Sequence, residues 1–328
     1  MKFPESVLQI ANDIKTMKIR GAGKIARSAA EAMKKAALEY PGEHDLNAFR
    51  KYMVETARLL ISTRPTAVSL PNAVIYVLKA LRNASSYSEA RESIVKTADS
   101  FVENSLNAVK RISEFGAKRI KENSVVLTHC HSSTAVEVIA RAYREGRVVK
   151  VYNTETRPFF QGRITFSHLK SYGVPVVQIP DSAVRYVMHE VDYVVVGADT
   201  VTSNGAVVNK IGTSQVALVA KEARVRVYVA AESYKFSPLT LIGELVKIEY
   251  RDPEEVVPRE WIEKHPGVRI LNPVFDVTPP EYIDAIITEY GVLPPQAAIL
   301  ILIDKLGWTL ESIKYSENIL ENLEKILE

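Results

Sequence analysis

The chain has a single cysteine, Cys130, so no internal disulfide can form and nothing ties it to an oxidising compartment. It has no apolar run near the roughly 18 residues that a membrane helix needs. Neither sign of charge dominates: 42 Lys and Arg stand against 39 Asp and Glu, and a net charge of +3 is too small to imply nucleic acid. Internal repeats, low-complexity segments and the common glycine phosphate motifs are missing as well. The N-terminal MKFPESVLQIANDIKTMKIRGAGK mixes acids and bases in an amphipathic helical pattern and lacks the apolar core of a signal peptide. These absences predict a soluble, cytoplasmic protein with neither nucleic acid nor membrane as partner. The composition, 47% hydrophobic and 25% charged, is that of an ordinary globular protein. At 328 residues the chain suits two domains, and a pI near 8.7 suits an anionic small molecule.

The first 120 residues read as helices. Val7, Ile10, Ile14 and Met17 recur at helical spacing, as do Ile25, Ala29, Ala32 and Ala36. Residues 45–61, 66–81 (with Pro65 fitting the first turn) and 88–120 continue the pattern. From Ser124 the period changes. Strands are expected over 124–128, 148–152, 174–179, 192–196 and 225–230, alternating with helices over 133–144, 161–172, 182–189 and 214–221. Such alternation predicts an α/β fold with a mostly parallel, doubly wound sheet. Further on, a strand is expected over 268–272, with helices over 281–290, 294–305 and 309–328. Ile283, Ile286, Ile287 and the last helix offer an apolar surface that points to self-association.

The chain is organised around 194–213, VVVGADTVTSNGAVVNKIGT. A β-branched buried strand ends in the small residues Gly197 and Ala198 and exposes one carboxylate, Asp199. A turn favouring positive φ follows at Ser203–Asn204–Gly205, and then Asn209, Lys210, Gly212 and Thr213 lead into a helix. A carboxylate at a strand's C-terminal end, ahead of a Lys/Gly/Thr helix start, is where an open α/β sheet puts chemistry beside an anion. A plain loop with a solvated Asp is the alternative.

Other strand ends carry polar clusters. His129, Cys130, His131, Ser132 and Ser133 run into a helix N-terminus, where the helix dipole favours a thiolate and the hydroxyls suit a phosphate. A buried structural cysteine with Ser133 as helix cap would also explain them. His129, Cys130 and His131 alternate in an extended run and point to opposite faces, and no second cluster has ligand spacing, so a metal is not expected. After 148–152 comes Asn153–Thr154–Glu155–Thr156–Arg157–Pro158, whose Arg157 offers a fork for phosphate or a sugar diol. Arg20–Gly21–Ala22–Gly23–Lys24 places two bases around small residues at a helix start, and Arg64 and Lys235 are isolated bases at element ends.

Together these segments resemble the superfamily that joins methylthioribose-1-phosphate isomerase, ribose-1,5-bisphosphate isomerase and the alpha, beta and delta subunits of translation initiation factor 2B. The matching runs are RGA (20–22), TRPTAV (63–68), THC (128–130), ETRPFFQG (155–162), GAD (197–199), NGAVVNKIGT (204–213) and NPVFDVTPP (272–280). They stand in family order along nearly the whole chain. The resemblance implies a helical domain over 1–120, a Rossmann-like domain over 121–328, and assembly as dimers or hexamers. It implies that Cys130 and Asp199 are catalytic, and that Arg20, Gly21, Ala22, Arg64, Ser132, Arg157, Asn209, Lys210 and Lys235 hold a phosphorylated ribose, with no cofactor and no metal. The isomerases of this superfamily keep the cysteine and aspartate, whereas the regulatory subunits lose the cysteine. Methylthioribose-1-phosphate isomerases read CNAG where this chain has Cys130–His131–Ser132–Ser133, and Ala231–Phe236 looks like the other branch. The resemblance is therefore nearest to the ribose-1,5-bisphosphate isomerases, archaeal enzymes of AMP breakdown, with AMP as an activator. The alternatives are the methylthioribose enzyme and a non-catalytic translation-factor-like subunit.

Overall fold

The computed structural model describes residues 2–64, 67–242, 245–306 and 323–324. The chain divides into two compact units. The first takes residues 1–108 together with 232–245 and 300–328; the second takes 109–231 and 246–299.

The first unit is helical: α1 (Glu5–Lys15), α2 (Ala22–Leu38), α3 (Leu46–Thr63), α4 (Ser69–Leu78) and the start of α5 (Tyr87–Ala117). Asp45 caps α3, its carboxylate accepting from the Ala48 amide at 2.7 Å. The buried face of α2 is mostly alanine: Ala26, Ala29, Ala30, Ala32, Ala36 and Ala37 are fully buried around Met33. Small side chains there let neighbouring helices pack close, while Phe49, Tyr52, Leu60, Leu70 and Leu78 supply the volume. Glu232–Leu245 joins this core through Tyr234.

The second unit is built on β1 (Ser124–Thr128), α6 (Ser133–Arg144), β2 (Val148–Thr154), α7 (Gly162–Ser171), β3 (Val176–Ile179), α8 (Val184–Val187) and β4 (Tyr193–Gly197). After β4 come β5 (Thr200–Val201), β6 (Val207–Lys210), α9 (Thr213–Glu222), β7 (Arg226–Ala230), α10 (Arg259–Lys264), β8 (Phe275–Thr278), β9 (Ala285–Thr288) and β10 (Gly291–Leu293). The main sheet runs β3-β2-β1-β4-β7-β9-β10 and is parallel except for β10. The strand order reverses between β1 and β4, so the switch point of the doubly wound sheet lies at their carboxyl ends. Val126, Val151, Val195, Ile139 and Ile287 centre its core.

Two expectations fail near the C-terminus. Residues 281–290 form no α-helix; only the short 3-10 turn Pro280–Tyr282 overlaps them. Ala285–Thr288 is the strand β9, buried along its whole length beside β7, and β10 returns antiparallel to it. Ile283, Ile286 and Ile287 match helical spacing, but Pro279–Pro280 and Gly291 bracket a run too short for a helix and buried on both faces. Those three isoleucines are 6%, 1% and 0% exposed, so they are core and not an association surface. Residues 268–272 are no strand either; β6 pairs instead with Phe275–Thr278, in a small antiparallel sheet β5-β6-β8 that the sequence reading lacks. The expected turn at Ser203–Gly205 is the β5–β6 hairpin, with Gly205 at φ +84° and too close to the Pro295 carbonyl for any side chain. Pro65 and, apart from Leu323 and Glu324, the expected helix over 309–328 lie outside the described residues.

Candidate active site

Cys130 and Asp199 are each the second residue past a strand, β1 and β4, and these strands are parallel neighbours. Gly197 explains how closely the two strand ends approach. A Cβ there would sit 2.4 Å from the Ser132 Cβ, so only glycine lets the start of α6 lie against the end of β4. Ser132, not Ser133, caps α6: it is extended at φ −129° and its hydroxyl accepts from the Ala135 amide at 3.2 Å. Cys130 itself has a left-handed backbone, φ +67°, which a non-glycine residue adopts only when its surroundings impose it. Its amide donates to the Thr156 hydroxyl at 2.9 Å, and its carbonyl accepts from the Thr165 hydroxyl at 2.8 Å.

The thiol is not activated as its position at a helix start suggests. Burial pushes it from about 9 up to about 12; the Lys210 ammonium and the His131 amide act the other way, and Asp199 and Asp181 add to the rise. A dipole can favour a thiolate only where solvation does not penalise the ion more, and here desolvation wins. The site therefore presents a protonated thiol beside a carboxylate and a lysine. Lys210 ends β6, is buried, and lies 4.8 Å from the Phe275 ring centre. Burial pulls its ammonium below the ordinary value, and Cys130 and Asp199 partly restore it. Asn209 is buried beside it and donates to the Thr213 hydroxyl at 3.0 Å.

Because Cys130 is the sole cysteine, whole-protein alkylation reports on it alone. At pH 8 the native protein should react with iodoacetamide about a thousandfold more slowly than the urea-unfolded chain, the ratio of thiolate populations. Equal rates would disprove the burial effect. The raised value also stabilises the fold below pH 9, and that contribution is lost as pH rises from 9 through 12, since the unfolded thiol ionises first.

Arg157 follows Thr156 in a turn held by Asp181, whose carboxylate accepts from the Thr156 and Arg157 amides at 2.8 and 2.7 Å. The Arg157 guanidinium donates to the Val256 carbonyl at 3.1 Å and lines a cavity of about 420 Å³ with Asp181, Gly212, Gln215, Asn272 and Asp276. Asp276, on β8, accepts from the Gly212 and Ser214 amides and so caps α9; burial pushes its carboxyl up to about 6. Cys130, Ser132, Arg157, Asp199, Asn209 and Lys210 all belong to the second unit.

Arg20, Gly21, Ala22, Arg64 and Lys235 belong to the first. Gly21, at φ +84°, opens α2; Arg20 is exposed, Arg64 ends α3, and the Ala22 carbonyl accepts from Ser69 at 3.0 Å. Lys235 is buried and forms an ion pair with buried Glu232 at 2.7 Å. That turn stands over the start of α2: a Cβ on Gly23 would lie 3.1 Å from the Tyr234 hydroxyl and 3.5 Å from Glu232. The RGA segment and the Lys235 turn are thus neighbours within the helical unit.

His129, Thr156, Asp181 and Asp276 are the polar residues that the sequence reading left unassigned or considered only as metal ligands. Among the described residues no group of three or more His, Cys, Asp or Glu is arranged to hold a metal ion, and no helix is long and apolar enough to cross a membrane.

Fold and site define a doubly wound α/β protein with a thiol and a carboxylate at the switch point of its sheet. Within that class the chain belongs to the Initiation factor 2 subunit family, whose model matches residues 18–295. It is 50% identical over 322 residues to the ribose 1,5-bisphosphate isomerase of Thermococcus kodakarensis, across 97% of this chain and 99% of that one. It is 52% identical over 312 residues to the enzyme of the same name from Methanocaldococcus jannaschii, across 94% and 99%. The crystal structure of 5-methylthioribose 1-phosphate isomerase from Pyrococcus horikoshii superposes with a TM-score of 0.75 at 31% identity, over 92% of this chain and 87% of that one.

Proposed function

We propose that this chain is a cofactor-independent aldose–ketose isomerase that converts ribose 1,5-bisphosphate to ribulose 1,5-bisphosphate. The observation that carries the reading is the pairing of Cys130 with Asp199 at adjacent strand ends, in a chain half identical over nearly its full length to proteins bearing that name. An aldose 1-phosphate has no free aldehyde, because its anomeric oxygen is esterified. The reaction therefore protonates the ring oxygen as the C1–O bond opens, and removes the C2 proton to give an enol phosphate. A proton added at C1 and the loss of the enol proton then leave the ketone. One acid and one base facing the sugar suffice, and a thiol kept protonated beside a carboxylate can exchange protons with the substrate without a thiolate being formed first. Lys210, Asn209, Arg157 and Ser132 are suited to a phosphate, and the resemblance adds Arg20, Gly21, Ala22, Arg64 and Lys235 as substrate-binding residues.

The same reading includes a role in AMP degradation in the cytoplasm, AMP as an activator, and a homo-oligomer built from dimers up to a hexamer. Tyr250 and Leu271, 63% and 61% exposed, are apolar surface that such assembly would cover. Incubating the purified chain with ribose 1,5-bisphosphate, with and without AMP, and detecting ribulose 1,5-bisphosphate tests the reaction; no product in either arm rejects it. Light scattering at micromolar protein should give a multiple of the 36.6 kDa chain, and a monomer would reject the assembly.

A further inference from the structure

His129 is 2% exposed, and the two threonines it reaches, Thr154 and Thr156, are fully buried. Its Nε2 lies 2.9 Å from the Ile211 carbonyl oxygen, which can only accept, so Nε2 carries the proton. Burial lowers the imidazole's pKa and favours the neutral ring, so Nδ1 is bare and accepts from the Thr154 hydroxyl at 2.7 Å. Thr154 has only that one proton to give, so at 3.3 Å it accepts from Thr156. Thr156 in turn accepts from the Cys130 amide. Both ends have a fixed sense, an amide that can only donate and a carbonyl that can only accept. Every link between them points the same way, through a neutral imidazole, and each side-chain polar atom of His129, Thr154 and Thr156 has a partner.

The chain has a clear placement. It starts at the residue whose left-handed backbone carries the thiol, and it ends on the carbonyl of Ile211, the residue after Lys210. Gly212 shares this end: at φ +99° it packs so tightly that a Cβ would stand 3.0 Å from the imidazole Cε1. On its far side the Gly212 amide is held by Asp276 at 2.7 Å. The β1 loop and the β6 loop are thus tied to one another through side chains, with no main-chain hydrogen bond needed between them. A histidine buried merely to fill the core would not require a directed relay ending on the two loops that carry the candidate thiol and ammonium.

We propose that His129, Thr154 and Thr156 are positioning residues, whose one-way hydrogen-bond chain sets the Cys130 thiol against the loop that follows Lys210. The inference rests on the isomerase reading above for what the thiol does. None of the three touches the reacting atoms. Their effect is to hold Cys130 in a backbone conformation it would not otherwise keep, so its test is turnover and not affinity.

The kinetic test compares wild type with Thr156→Val, Thr156→Ser, His129→Gln and the Thr156→Val/His129→Gln double variant on ribose 1,5-bisphosphate, with circular dichroism as the check on folding. Thr156→Val keeps shape and removes the hydroxyl. It should lower kcat about 10- to 100-fold with KM changed by no more than about 2-fold, the scale expected when a reacting group is displaced by about 1 Å. Thr156→Ser keeps the hydroxyl and should recover most of the turnover. The double variant should lose no more than its worse single parent, because either change breaks the same chain. Losses that multiply, or a Thr156→Val protein with wild-type kcat, would overturn the inference; should His129→Gln fail to fold, the two Thr156 variants still decide. Alkylation of Cys130 without any sugar separates this inference from the proposed reaction. Thr156→Val should speed it about 10-fold as the thiol loosens into water, whether or not the sugar is turned over, and an unchanged rate counts against the chain.

Discussion

Ribose 1,5-bisphosphate should be used about 10⁴-fold more efficiently, in kcat/KM, than methylthioribose 1-phosphate. The two sugars share the 1-phosphate and differ at C5, where one carries a dianion and the other an uncharged thioether. A pocket for the dianion must hold fixed cations and N–H groups at that end, and the thioether would leave them unpaired in a closed site. Lys235 is the residue we propose for the 5-phosphate. Its ammonium is already buried against Glu232, so it is held in place before any substrate arrives. Lys235→Met should therefore reduce use of the bisphosphate far more than that of any 1-monophosphate. Because that change strips the partner from a buried carboxylate, it is best made together with Glu232→Gln, which keeps the fold from bearing an uncompensated charge. Comparable kcat/KM for the two sugars in wild type would mean that the pocket is built differently.

Cys130→Ser and Asp199→Asn should each lower kcat by about 10² to 10⁴ while KM for the bisphosphate stays near its wild-type value. Both changes keep size and shape and remove the group able to exchange a proton. Neither side chain caps a helix, so the fold should tolerate both. The two losses should not multiply, since removing either partner stops the same proton traffic. A Cys130→Ser protein with near-full turnover would make the cysteine structural. The natural placement of the thiol at φ +67° argues for more than packing, because that backbone costs free energy and persists only where the surroundings enforce it.

Much of this site was legible in local sequence, for a physical reason. Ser124–Thr128 and Ser133–Arg144 form the strand and helix that their periodicity predicts, so Cys130 was bound to fall at a strand's carboxyl end, as was Asp199 after its own strand. What sequence could not supply depends on contacts between distant segments. The acidity of Cys130 follows from burial, which outweighs the helix start beside it, and from the charges of Lys210, Asp199 and Asp181, which lie 51 to 80 residues away in sequence. His129 looked like a metal ligand by type, and only the Thr154 hydroxyl and the Ile211 carbonyl reveal it as a connector. Asp276 was visible only as part of a motif, since its partners lie more than 60 residues earlier in the chain. At β9 the apolar spacing fitted either element, and the neighbouring strand β7 decided the outcome.

The protonated state of Cys130 also bears on how the protein would age in an oxidising milieu. Peroxides attack the thiolate and leave the thiol almost untouched, and sulfenic acid is the entry to every later oxidation product. By holding the proton on sulfur, the same burial that shapes the proposed chemistry also shields the chain's one oxidisable thiol from inactivation. A cysteine activated in the usual way, as an exposed thiolate at a helix start, would gain nucleophilicity and lose that protection.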